Sequence, residues 1–214
     1  MSKRQIPQIS SRKQPQQARS TELVAAILQA ATQVLAKEGA QRFTTARVAE
    51  KAGVSVGSVY QYFPNKAAIL FQLQSDEWQQ TTAMLRAILD DTRKPPLKRL
   101  RAVVHAFIQS ECDEAAMRIA LSDAAPLYRD APQACEAKAA GADLFVAFTK
   151  EVLPAAPRAA RSTACELITK TLSAVGKDFS ESPRTPAEIK AYSQALGDML
   201  CAYVTELARR WDRV

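Results

Sequence analysis

Apolar residues recur every three or four positions along this chain from about residue 20 onward, with no run of strict alternation and no two-residue hairpin signal. Such a pattern builds helices that bury one face and leaves no material for a sheet, so the expected fold is all-α with about nine helices. Six glycines in 214 residues leave most of the punctuation to eleven prolines. A first helix is expected from Ser20 to Glu38, with Leu23, Val24, Ile27, Ala31, Val34 and Leu35 inward and Gly39 as its stop. Thr44 or Thr45 caps a short second helix that buries Val48, Ala49 and Ala52, and Gly53 makes a tight turn. Ser55 caps a third helix reaching Phe63, Pro64 ends it, and Asn65 caps a long fourth helix to about Asp90. Pro95 and Pro96 open the next helix, whose inward face is Leu97, Leu100, Val104, Phe107 and Ile108. A short helix over 113–121, one from Pro132 to about Val152, and two long ones over 157–179 and 186–211 complete the pattern.

Composition removes most enzyme chemistry. The single histidine, His105, precludes a multi-histidine metal site and makes a histidine-based triad a poor fit. There is no glycine-rich phosphate loop, no metal-ligand cluster and no nucleophile motif, so neither a catalytic nor a metal site is expected, and no cofactor. Asp90–Asp91 and Asp113–Glu114 are sequence neighbours that point apart on a helix and form no acid–base pair. No stretch approaches 18 apolar residues, so no membrane span is expected, and the first residues lack the apolar core of a secretory signal. Cys112, Cys135, Cys165 and Cys201 are far apart without CxxC pairing and read as reduced thiols of a cytoplasmic protein. A thiol-based redox sensor is an alternative, disfavoured at Cys112 because Glu111, Asp113 and Glu114 raise a thiol pKa.

The charge is unevenly placed. The chain carries 29 Lys and Arg against 22 Asp and Glu, a net charge of +7. Residues 1–66 contain ten of those cations and three acids, Glu22, Glu38 and Glu50, so they hold the whole excess. A basic region beside a neutral one points to a polyanion partner, double-stranded DNA above all. Residues 1–18, rich in Gln, Ser, Lys and Arg, have little to bury and are expected to form a disordered basic arm. Its cations Lys3, Arg4, Arg12 and Lys13 are expected to add sequence-independent affinity. The remainder divides into a DNA-binding domain over 19–66 and a larger domain over 67–214.

Residues 43–66 read FTTARVAEKAGVSVGSVYQYFPNK, two short amphipathic helices joined by a glycine turn. Phe43, Val48, Ala49, Ala52, Val54, Val59 and Phe63 supply a small core; Ser55, Val56, Gly57, Ser58, Tyr60, Gln61 and Tyr62 form an outer face without acids to repel phosphate. At these residues the sequence resembles the TetR family of bacterial transcriptional repressors, over about Glu22 to Phe71. The resemblance implies that Thr44, Thr45 and Arg47 contact the DNA backbone, Arg47 also reaching a base. It implies further that Val56, Gly57 and Ser58 face base edges, Val56 against a thymine methyl group. It assigns Tyr60, Tyr62 and Lys66 to a phosphate clamp, while Gln61 meets either an adenine or the backbone; Tyr62 packed against the fourth helix is the competing reading.

One such head buries too little DNA for selectivity, so a homodimer on a pseudopalindromic operator is expected, with half-sites roughly 34–36 Å apart or somewhat more. Pairing is expected through the last two long helices: Leu167, Ile168, Leu172 and Val175 in one, Leu196, Met199, Leu200, Tyr203 and Leu207 in the other. The competing reading is that these stripes are intramolecular core. The resemblance also implies a small-molecule effector site, for which Trp78, Met84, Leu85, His105, Phe107, Ile108, Met117, Tyr128, Phe145, Phe148 and Ile168 are the candidate lining. The function so read is a ligand-responsive homodimeric repressor, released from DNA by a small, largely apolar effector. The alternatives are an effector-independent DNA-binding protein and the redox sensor.

Overall fold

The computed structural model describes residues 8–10, 18–139 and 143–212. Among them every regular element is a helix. In chain order these are α1 (Ala18–Arg42), α2 (Thr45–Ala52), α3 (Val56–Tyr62), α4 (Lys66–Leu89), α5 (Pro96–Asp113), α6 (Ala115–Ala124), α7 (Pro132–Ala139), α8 (Val146–Val152), α9 (Arg158–Ser180) and α10 (Pro186–Asp212). A 3-10 turn over Ala125–Leu127 follows α6. The single helix expected from Pro132 to Val152 is two, α7 and α8, with residues 140–142 outside the described residues.

The chain forms two compact units, and the division does not fall at residue 66. The first comprises Met1–Trp78 and Ala116–Lys138; the second comprises Gln79–Ala115 and Ala139–Val214. In the first unit Ile27, Ala31, Val34 and Leu35 of α1 share a core with Phe43, Val48, Val59, Phe63, Ile69 and Leu70. Ala120, Leu121, Ala124 and Tyr128 join the same core. Each buried Leu, Ile or Phe contributes roughly 1.5–3 kcal/mol, and α4 and α6 add such residues to the small core that α1 to α3 make alone. Gly39 interrupts α1 at φ 72°, ψ 173°, so the helix breaks after Glu38 as expected from the sequence. The Tyr128 hydroxyl donates to the Leu121 carbonyl at 3.1 Å and to Gln74 Oε1 at 3.3 Å. Burial, with Glu77 nearby, pushes its pKa above the ordinary phenol range.

The second unit is organised on α5. Both α9 and α10 pack along it, and α8 packs on α9. A Cβ on Gly176 of α9 would lie 2.7 Å from Phe107 Cε1 of α5, so the glycine is what lets these helices approach. Arg101 Nη2 reaches Asp198 of α10 at 2.7 Å. Arg99 is buried: its guanidinium donates to the carbonyls of Leu89 and Lys94, the second at 3.0 Å, and to Glu151. It thereby satisfies a terminal carbonyl of α4. A capping box starts α10, with Thr185 N–H donating to Glu188 Oε2 at 2.7 Å and Glu188 N–H to Thr185 Oγ1 at 3.3 Å.

Candidate nucleic-acid interface

The helix-turn-helix is built by caps. Thr44 stands in extended conformation before α2, and its Oγ1 accepts from Arg47 N–H at 3.3 Å. Thr44, not Thr45, is the cap. Gly53 adopts φ 67°, ψ 30°, and the N–H groups of Gly53 and Val54 donate to Glu50 and Ala49 carbonyls at 3.1 and 3.0 Å, a Schellman closure. Ser55 caps α3: its Oγ accepts from Ser58 N–H at 3.0 Å and lies 2.8 Å from Ser58 Oγ. The turn between α2 and α3 is therefore closed by backbone bonds on one side and a hydroxyl on the other, which fixes how α3 is presented.

The predicted contact residues separate by burial. Ser55, Gly57 and Gln61 are exposed, Val56 and Tyr60 are 40% and 42% exposed, and Ser58 and Lys66 are partly buried. Thr44 and Arg47 are exposed at the start of α2. Two assignments are corrected. Tyr62 is only 5% exposed and belongs to the core of the first unit, so the packed reading of this side chain replaces the phosphate clamp. Thr45 is buried as the first residue of α2, which leaves the hydroxyl of Thr44 as the one offered at the surface.

Two contacts went unread in the sequence. Arg47 forms an ion pair with Glu38 at the break in α1. Within the arm, Ile9 is 2% exposed in the core of the first unit, and Asn65 Nδ2 donates to the Gln8 carbonyl at 2.9 Å while Asn65 Oδ1 caps α4 by accepting from Ala68 N–H at 2.9 Å. Gln8–Ser10, within the expected arm, thus have contacts with the first unit. The only hint was an isoleucine among polar residues. The cations Lys3, Arg4, Arg12 and Lys13 lie outside the described residues.

The candidate effector residues are divided between the two units. Trp78, Met117 and Tyr128 belong to the first unit, and the others to the second. Leu85, Phe107, Ile108, Phe145, Phe148 and Ile168 are buried core, with Met84 packed against them. His105 is exposed, with its ring nitrogen 2.9 Å from Ser193 Oγ, so its visible role is to join α5 to α10. The dimer candidates also divide. Leu172, Leu196 and Leu200 are core; Val175, Tyr203 and Leu207 are partly buried; Leu167 and Met199 are 45% and 52% exposed. Burial raises the thiol pKa of Cys112, Cys165 and Cys201, and Asp113 adds to the effect at Cys112. Among the described residues no group of three or more His, Cys, Asp or Glu is placed to hold a metal, and no helix is long and apolar enough to cross a membrane.

The family model for bacterial regulatory proteins of the tetR family matches residues 27–73, and that for the tetracyclin repressor-like C-terminal domain matches 95–207. The chain belongs to the TetR family. Its helix-turn-helix and its helical second domain are those of a DNA-binding regulator. Nucleoid occlusion factor SlmA of Vibrio campbellii is 40% identical over 83 residues, 38% of this TetR-family chain and 42% of that protein, so the match spans less than half of the relative. A transcriptional regulator from Pseudomonas aeruginosa PAO1 shares the fold with a TM-score of 0.69 at 18% identity, covering 92% of this chain and 96% of that one. FadR from Bacillus subtilis, solved in complex with stearoyl-CoA, gives 0.63 at 16% identity over 86% of this chain and 98% of FadR.

Proposed function

We propose that this TetR-family protein is a cytoplasmic homodimeric transcriptional repressor that binds a pseudopalindromic operator and is released by a small, largely apolar effector. The observation that carries the reading is the outer face of α3, where Ser55, Val56, Gly57, Tyr60 and Gln61 stand exposed on a capped, acid-free helix. Val56 offers an apolar contact to a thymine methyl group, Gln61 an amide for a base edge or phosphate, and Tyr60, Lys66 and Arg47 backbone contacts. Pairing through α9 and α10 is supported by the exposed Leu167 and Met199, two large apolar side chains left uncovered on the two longest helices of the second unit. The effector reading rests on the apolar cluster of Met84, Leu85, Phe107, Ile108, Phe145, Phe148 and Ile168, in a fold that in FadR holds an acyl-CoA.

A second reading, a DNA-binding protein without an effector, is favoured by the close packing of that same cluster as ordinary core. Sequencing the genomic fragments retained by the purified protein near physiological salt tests the common part. A small set of sites sharing one pseudopalindrome supports the regulator; uniform, salt-labile retention of all fragments overturns it. On the recovered site, log K against log salt should have a slope of about −4 to −7, from about four to eight phosphate contacts per dimer. Effector coupling is reciprocal, so a compound bound equally well with and without operator does not regulate.

A further inference from the structure

Glu38 occupies a place that electrostatics disfavours for an acid. It closes the first segment of α1, immediately before the break at Gly39, where unsatisfied carbonyls concentrate negative charge. It is also one of only three acids in the first 66 residues, the part of the chain that carries the whole cationic excess. Its Oε2 is closed off from solvent, and the cation against that oxygen is the guanidinium of Arg47, nine residues on in α2. Arg47 itself is about half exposed, its backbone N–H already fixed by the Thr44 cap.

Carboxylate and phosphate are rival acceptors for the same guanidinium fork. We infer that Glu38 is a specificity-determining residue, which holds Arg47 and withholds it from the phosphates of arbitrary DNA. This rests on the DNA-binding reading above. On a random duplex, phosphate is all that competes for Arg47, and a carboxylate already in contact through its shielded Oε2 wins. On the operator, base contacts by α3 fix the head in one register, and Arg47 is then brought to its acceptor by position as well as by charge. Glu38 thus suppresses sequence-independent binding more than specific binding, raising the ratio between them.

The test compares wild type, Glu38→Gln, Arg47→Gln and the double variant on a random-sequence duplex and on the site recovered by selection, across a salt series. Glu38→Gln should steepen the random-duplex slope by about 0.9 per head as one more phosphate contact forms, and lower the operator-to-random ratio several-fold. The double variant should show no such steepening. Arg47→Gln alone should leave the random-duplex slope unchanged while weakening the selected site, a result that stands even where Glu38→Gln melts below wild type. An unchanged slope in Glu38→Gln, an equal steepening in the Arg47→Gln background, or a shallower random-duplex slope in Arg47→Gln would each overturn the inference. Wild type without salt-dependent binding to any duplex would instead remove the DNA-binding reading itself.

Discussion

Two glycines of this chain look alike in sequence and do opposite jobs. Gly53 has open space where a Cβ would go but sits at φ 67°, so alanine there is strained by its own backbone, at about 1–2 kcal/mol. Gly176 has ordinary helical backbone, and alanine would gain roughly 1 kcal/mol of helix propensity. Its Cβ would nevertheless stand 2.7 Å from the buried Phe107 ring, and overpacking of a fixed core costs about 1–3 kcal/mol. Overlap wins, so both substitutions should lower the melting temperature, and only Gly176→Ala should be rescued by trimming Phe107 to Leu. A rescue of Gly53→Ala by the same trimming would contradict this division. Burial at single residues was the least legible quantity in the sequence. Tyr62 and Tyr60 are both tyrosines of one short helix, and Tyr62, one turn after the buried Val59, shares its inward face while Tyr60 does not. Glu38 was unreadable: its meaning comes from Arg47, nine residues away and across a helix break.

At the scale of elements, starts and stops were written locally. Gly39, Thr44, Gly53, Ser55, Pro64 and Asn65 each carry a signal within three residues of the boundary they set, and the structure uses every one. The join between α7 and α8 was missed although Gly141 stands there in the sequence, because alanine-rich and apolar residues continue a helical pattern on both sides of it. What holds elements to each other is less local. Arg99 satisfies the Leu89 and Lys94 carbonyls from inside the core, whereas its partner Glu151 is 42% exposed. Removing the buried member should cost more than neutralising the exposed one: about 3–5 kcal/mol for Arg99→Ala, because two carbonyls lose their donor, against about 1–3 kcal/mol for Glu151→Gln, whose amide still accepts from a guanidinium that has lost its counter-charge. Chemical denaturation of the two variants measures the difference. Equal losses would mean that the ion pair, not the carbonyl contacts, supports the end of α4.

At the scale of the whole molecule, the fold class and the helix-turn-helix were legible because helical periodicity and the glycine turn are short-range patterns. The grouping of helices was not, since nothing in the sequence of α6 says that it packs with α1 and α4. The expected stripes for pairing held both kinds of residue: Leu172, Leu196 and Leu200 went to the protomer's own core, and Leu167 and Met199 remained outside. If those two seat a partner copy, Leu167→Glu with Met199→Glu should yield a folded monomer in sedimentation at micromolar concentration, with operator affinity reduced by at least tenfold because one head acts alone. A double variant that still sediments as a dimer would place the pairing surface elsewhere.

The division of the chain into Met1–Trp78 with Ala116–Lys138 bears on anyone who would transplant its reading head. A cassette cut after Lys66 and grafted onto another sensor would carry α1 to α3 without Ala120, Leu121, Ala124 and Tyr128, which finish their core. It would also leave behind Ile69 and Leu70 of α4. The graft would arrive with part of its apolar core uncovered and should be sticky and weakly cooperative in melting. A transferable head needs two ribbons of chain, stitched back together in the host at matching points, and a Gln8–Ser10 leader kept in place so that Ile9 finds its slot.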